Sequence, residues 1–285
     1  MLNIKLIMGQ FKKKTKMNYY KNKVIWITGA SSGIGKELAI QLSKLGAILV
    51  LTARRENELE KVKQLCGNAE VHLFPFDLEN LEGIGVLYNA VIKDIKKIDI
   101  LVNNAGISAW SSVNETNIEV YKKVMNMNYM SVVSLTKSVL PDMIKRRSGQ
   151  IVTNTSLSGK FGSKKRSVYA AAKHALHGFI DSLRAEVHEH NIKVNTIAPG
   201  YVNTDIGIKA LVGDGSPYSK NDRGHDSKGL KVEKAVKMII SAIKNNKREV
   251  LVIPIFSMLM FASLLSRFLP GLAAIVARNF DEDKQ

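Results

Sequence analysis

The chain has 285 residues, 45% of them apolar and 24% charged, which suffices for one large core and excludes a collagen-like, coiled-coil or wholly disordered chain. Its 42 basic and 25 acidic residues leave a formal charge of +17; dispersed lysine of this kind is solvated surface, and no specific nucleic-acid partner is expected from it. A single cysteine, Cys66, excludes an internal disulfide and any multi-cysteine centre and fits a reducing, cytoplasmic compartment, and the six histidines show no metal-ligand spacing.

Residues 1–22 begin with an apolar patch, Leu2 to Met8, followed by Lys12, Lys13, Lys14, Lys16 and Lys21. A secretory signal has the reverse order, so a disordered basic leader is expected. From 23 to 253, β-branched runs alternate with amphipathic stretches. Strands are expected at 24–28, 48–52, 71–75, 100–103, 150–155, 193–198 and 250–253, and helices at 35–45, 56–65, 81–95, 118–144 and 169–189. This alternation predicts a single doubly wound Rossmann-type α/β domain with a parallel, seven-stranded sheet. The weakly patterned segment 205–229 follows a strand's carboxyl end, where such a sheet holds its ligands, and reads as a lid or a disordered loop.

The end of the chain, 254–285, reads as an apolar helical extension. Pro254, Arg267 and Pro270 interrupt its apolar run, which disfavours a spanning helix. Two readings stay open: helices covering the substrate cleft or a subunit contact, or a patch that rests on a membrane surface with the help of Arg267 and Arg278.

The first strand leads into Gly29-Ala30-Ser31-Ser32-Gly33-Ile34-Gly35 and then a helix. Glycines there allow a tight turn and close approach to a pyrophosphate at a helix N-terminus, so Gly29, Ser31, Ser32, Gly33, Ile34 and Gly35 are candidate cofactor contacts. Tyr169 and Lys173 lie four apart on one helical face. An ammonium beside a phenol is expected to lower its pKa and fit it for proton transfer. Ser156 ends a strand at the cleft edge, where its hydroxyl could hold a substrate oxygen.

With Gly-x-x-x-Gly-x-Gly, Asn103-Asn104-Ala105-Gly106, Tyr169-x-x-x-Lys173 and Pro199-Gly200, the sequence resembles the short-chain dehydrogenase/reductase family over residues 23 to 253. Arg146 to Val152, Ser156 to Lys160 and Leu183 to Glu186 make it most similar to the branch of the dehydrogenase/reductase member 7 group and 11β-hydroxysteroid dehydrogenase-like enzymes. The resemblance implies a catalytic tetrad of Asn128, Ser156, Tyr169 and Lys173, with Asn126 a rival for the asparagine. The asparagine's backbone carbonyl would hold a water leading to the lysine. It implies cofactor contacts from Asp77 and Leu78 at the adenine, from Asn104, Ala105 and Gly106, from Tyr169 and Lys173, and from Pro199, Gly200, Val202 and Thr204 at the nicotinamide.

At the end of the second strand an enzyme that uses NAD presents an acid; this chain has Arg54-Arg55. Arg54 suits a 2′-phosphate, so NADP (NADPH) is the expected cofactor. The expected activity is carbonyl–alcohol interconversion by hydride transfer. A small lipophilic carbonyl or alcohol substrate is expected first. A polar carbonyl such as a 3-oxoacyl thioester or sugar, or a non-catalytic NADP-binding regulator, is the alternative. A homodimer or homotetramer is implied by the resemblance.

Overall fold

Seven parallel strands in the order β3-β2-β1-β4-β5-β6-β7 form the centre of this computed structural model, which describes residues 19–218, 229–254 and 265–279. They are β1 (Val24–Thr28), β2 (Ile48–Thr52), β3 (Val71–Leu73), β4 (Ile100–Asn103), β5 (Gly149–Asn154), β6 (Ile192–Pro199) and β7 (Glu249–Val252). The helices are α1 (Gly33–Ser43), α2 (Glu56–Leu65), α3 (Ile84–Ile95), α4 (Ile118–Met125), α5 (Ser131–Arg146), α6 (Ser167–Glu186), α7 (Val232–Lys244) and α8 (Pro270–Asn279).

A parallel sheet covered on both faces needs strands that are apolar on both, and all five residues of β1 are buried. Alternation along that strand sends Ile25 and Ile27 into one core with Leu38 and Leu42 of α1 and Ile239 and Ile243 of α7. Val24 and Trp26 enter the other, with Val91 of α3, Val139 of α5 and Ile180 of α6. Each such side chain stabilises the fold by about 1.5–3 kcal/mol. The Trp26 indole N–H donates to Thr52 Oγ1 at 2.9 Å, so the largest core residue buries no unpaired donor.

Two helices differ from expectation. The one expected over 118–144 is divided: α4 ends at Met125, a single π turn spans Asn126–Met130, and α5 follows. One extra residue in a helix leaves its apolar periodicity almost intact, so pattern alone does not reveal it. The second, α7, was not among the predicted helices, although its buried Ala235, Val236, Ile239, Ala242 and Ile243 keep helical spacing.

Strand order reverses between β1 and β4, which opens a crevice at the carboxyl ends of the strands. The segment after β6 closes one side of it. Leu211 pairs with Ala109, its N–H donating to the Ser108 carbonyl at 2.9 Å while its own carbonyl accepts from Trp110 N–H at 2.8 Å. The first part of the expected loop is thus an ordered flap, and 219–228 lies outside the described residues. So do most of the basic leader (1–18) and two parts of the C-terminal extension, 255–264 and 280–285. In the described part of the extension, Phe268, Leu269, Leu272 and Ile275 are exposed. Among the described residues no helix is long and apolar enough to cross a membrane.

Candidate active site

The turn between β1 and α1 is built around missing Cβ atoms. Gly29 has φ +65°, and a Cβ there would lie 2.8 Å from the Ala105 Cα; one on Gly35 would collide with the Gly29 carbonyl. Gly33 has φ +53°, and its Cβ would press on Thr204 Cγ2 at 3.2 Å. Thr28 Oγ1 accepts from the N–H groups of Asn104 (3.0 Å) and Ala105 (3.1 Å), which fastens the chain after β4 against the turn. No side chain caps the start of α1 and its first turn carries no acid, so its N–H groups face the cleft unneutralised.

The cleft has a volume of about 550 Å³. Gly29, Ser31, Ser32, Gly33 and Ile34 line one end of it, Arg54 and Leu78 the rim, and Asn104, Ala105 and Gly106 the middle. Ser156, Tyr169 and Lys173 lie at the far end with Pro199, Gly200 and Val202, while Thr204 returns to Gly33 of the turn. Three predicted residues stand behind this wall: Gly35 backs Gly29, Asp77 faces Arg54, and Asn128 is packed behind Gly106. A glycine-only cradle beside free helix N–H groups fits the diphosphate of a dinucleotide.

Arg54 sits within 3.9 Å of Asp77 and 3.8 Å of Glu79, whereas Arg55 reaches back to the turn, its Nη2 3.4 Å from Ser31 Oγ. Both arginines therefore flank the site where only Arg54 was expected. Their adjacency in the sequence was the available signal.

At the reacting end, Lys173 is 4% exposed. Its Nζ donates to the Asn154 carbonyl at 3.0 Å and lies 5.7 Å from the centroid of the Tyr169 ring. Burial drives its pKa down to about 8. Burial also pushes the Tyr169 phenol above its ordinary value, while the Arg166 guanidinium and the Ser156 hydroxyl pull it part of the way back. This corrects the expectation that Lys173 lowers it: the opposing cation is Arg166, three residues earlier. A phenol held in its protonated form is suited to give a proton to a carbonyl oxygen.

Asn128 is fully buried, and Asn126 is exposed, which distinguishes the two rivals. The Asn128 side chain clamps Ile107, accepting from its N–H at 2.8 Å and donating to its carbonyl at 2.9 Å. It lies in the π turn, which displaces the regular ladder of carbonyl bonds. Asn154 was not singled out from the sequence, yet it meets Lys173 through its carbonyl and Asn104 Oδ1 through its side-chain amide at 2.9 Å. Its position two residues before Ser156 was the clue. His174, which had no expected role, bonds the Ala170 carbonyl, and His177 packs beneath Gly159.

This fold and cleft define a dinucleotide-binding α/β protein with a Ser-Tyr-Lys cluster at the end of the cofactor groove. The short chain dehydrogenase family pattern matches residues 23–211. The chain is 40% identical over 256 residues to the dehydrogenase/reductase SDR family protein 7-like of Anopheles gambiae, covering 87% of this chain and 80% of that one. It is 42% identical over 234 residues to the Homo sapiens dehydrogenase/reductase SDR family member 7, covering 80% and 69%. A short chain dehydrogenase/reductase of Burkholderia phymatum, solved in complex with NAD, matches with a TM-score of 0.79 at 23% identity over 89% of this chain and 96% of its own. A metagenomic short-chain oxidoreductase, solved in complex with NADP, matches with a TM-score of 0.68 at 24% identity over 82% and 97%. The chain belongs to the short-chain dehydrogenase/reductase family of oxidoreductases, akin to its member 7 group.

Proposed function

We propose that the protein is an NADP-dependent oxidoreductase that interconverts a carbonyl compound and an alcohol. The observation that carries this is the convergence of Ser156, Tyr169 and Lys173 at one end of a cleft whose other end has the glycine turn and two arginines. Relatives in the family are named dehydrogenase/reductases, and two solved neighbours were determined in complex with NAD and NADP respectively. NADPH, when bound, supplies the hydride.

The protein's own residues do the rest. The glycine turn and the N–H groups of α1 hold the diphosphate. Arg54 and Arg55 offer charged donors to a 2′-phosphate, where an acid would repel it. Ser156 donates to the substrate oxygen as negative charge grows there. Tyr169 delivers its proton to that oxygen in reduction and removes it in oxidation. Lys173, held by the Asn154 carbonyl, stands beside the phenol at the reacting end, and Asn128 fixes the chain at Ile107.

Pro199, Val202 and Ile206 line both cavities beside Ser156 and Tyr169, which favours a lipophilic carbonyl or alcohol substrate over a polar carbonyl. The protein forms a homodimer or homotetramer in this reading, is cytoplasmic, and touches membrane through 254–285; size exclusion, cell fractionation and vesicle pelleting test the three in turn. The function itself is tested by following NADPH oxidation with a panel of carbonyl compounds. Turnover by the wild-type protein that is lost on Tyr169→Phe supports the proposal, and the absence of pyridine-nucleotide uptake defeats it.

A further inference from the structure

Asn154 is the last residue of β5, and the chain stays extended at Ser156. The two side chains therefore project to the same face, and both residues line the main cleft. The neighbours of the Asn154 amide fix its orientation. Asn104 donates from Nδ2 to the carbonyls of Thr28 (3.0 Å) and Gly29 (3.4 Å), which leaves Asn104 Oδ1 as an acceptor. Asn154 presents Nδ2 to that oxygen at 2.9 Å, so its own Oδ1 is turned away from Asn104. This Oδ1 is buried and has no hydrogen-bond partner. Among the described residues, the other such atom on the cleft wall is Glu79 Oε1, which has an ion pair with Arg54.

A buried acceptor without a donor costs stability, and valine or isoleucine would fill the end of a strand without that cost. A donor that arrives with a ligand removes it. The last torsion of an asparagine is soft, so a small turn about it carries Oδ1 to the cleft surface while Nδ2 keeps its bond. Hydride transfer requires the nicotinamide half of the cofactor at this end, beside Ser156 and Tyr169. That half offers two kinds of donor, the hydroxyls of its ribose and the N–H groups of its carboxamide. The main-chain carbonyl of Asn154 holds Lys173 Nζ at 3.0 Å, so this residue brings together a group that can only donate and an oxygen that can only accept. A hydroxyl answers both, accepting from the first and donating to the second, whereas a carboxamide N–H answers the second alone. Building on the reductase reading above, we propose that Asn154 is a cofactor-binding residue whose side-chain oxygen accepts from a hydroxyl of the nicotinamide-side ribose.

The experiment compares ligands that have and lack that ribose. NADP and 2′-phospho-ADP-ribose carry it, and adenosine 2′,5′-bisphosphate stops short of it. In calorimetric titrations, Asn154→Leu should weaken both ribose-bearing ligands by roughly 10-fold, the worth of one hydrogen bond, and leave the bisphosphate unchanged. Asn154→Asp keeps the acceptor and gives up the donor to Asn104, so it should keep the wild-type ratio of the affinities. The 3-acetylpyridine analogue of NADP, which has no carboxamide N–H, should lose as much as NADP does. Asn154→Ala takes the place of the leucine variant if that one does not fold, and the same ratio is read. Equal weakening of all the ligands would make the residue a prop for the glycine turn and overturn the inference. A loss that disappears with the acetylpyridine analogue would make the carboxamide the donor and overturn it too. In both cases the reductase reading stands. If the wild type binds neither NADP nor the bisphosphate, that reading fails and the inference fails with it.

Discussion

Lys173 donates to the main-chain carbonyl of Asn154 at 3.0 Å, and that contact joins the two ends of the cleft. The Asn154 side chain donates to Asn104 Oδ1 at 2.9 Å, and Asn104 in turn donates to the carbonyls of Thr28 (3.0 Å) and Gly29 (3.4 Å). One line of hydrogen bonds therefore runs from the reacting lysine to the phosphate-binding turn across β5, β4 and β1.

Tyr169→Phe removes the proton donor and little volume. Carbonyl reduction should fall by about 10²–10⁴-fold, the usual worth of general acid catalysis, while NADPH affinity measured by fluorescence stays within a small factor of wild type.

Lys173→Met should stabilise the protein even as it destroys turnover. The folded pKa, about 8, lies below the ordinary 10.5, so between these values the unfolded chain binds more protons and stability rises with pH. Below pH 8 the penalty of the buried cation is present in full. The variant should exceed wild type by about 1–3 kcal/mol in urea unfolding at pH 7, with the advantage shrinking toward pH 10. An advantage that grew with pH would contradict this assignment.

Gly35→Ala and Gly67→Ala separate crowding from backbone strain. At Gly35 the new methyl meets the Gly29 backbone; at Gly67, with φ +65°, it meets open space. The first should abolish nucleotide binding in a calorimetric titration and lower stability by roughly 2–4 kcal/mol. The second should lower stability by about 1 kcal/mol and leave binding alone.

Arg54→Ala with Arg55→Ala should weaken NADP by roughly 10–100-fold, as expected for charge-assisted bonds to a phosphate, and NAD far less. The ion pairs of Arg54 with Asp77 and Glu79 are exposed and long, so thermal unfolding should shift by less than about 1 kcal/mol. Equal weakening of both nucleotides would remove the case for NADP.

Asn128→Ala leaves the N–H and carbonyl of Ile107 without their buried partners. It should destabilise the fold by about 2–4 kcal/mol, measured by denaturant unfolding, in addition to any loss of turnover.

Much of this was legible in the sequence because the informative residues are local. The seven strands are short, mostly apolar runs, and the observed limits differ from the expected ones by two residues at most, as for β3, which stops at Leu73 rather than Pro75. The glycine turn, Asn104, Ser156, Tyr169 and Lys173 meet in one cleft because each lies at a strand end or on the helix beside it. What was not legible depends on burial and on distant neighbours. The upward push on Tyr169 comes from desolvation, which no spacing rule reports. Arg166 acquires its importance from Ser108 and Trp110, more than fifty residues away. The clamp from Asn128 to Ile107 likewise joins residues whose types alone suggest no pairing.

The widened turn at Asn126–Met130 also determines how much change in chain length this region tolerates. Deleting one residue there would let α4 and α5 merge into an ordinary helix and would leave everything downstream in phase, because the widened turn is what takes up the extra residue. Leu135 and Val139 would keep their places in the core. A single-codon deletion is thus better tolerated at this place than in a regular helix, where it would turn the following face by roughly 100°, and its cost is confined to what Asn128 holds.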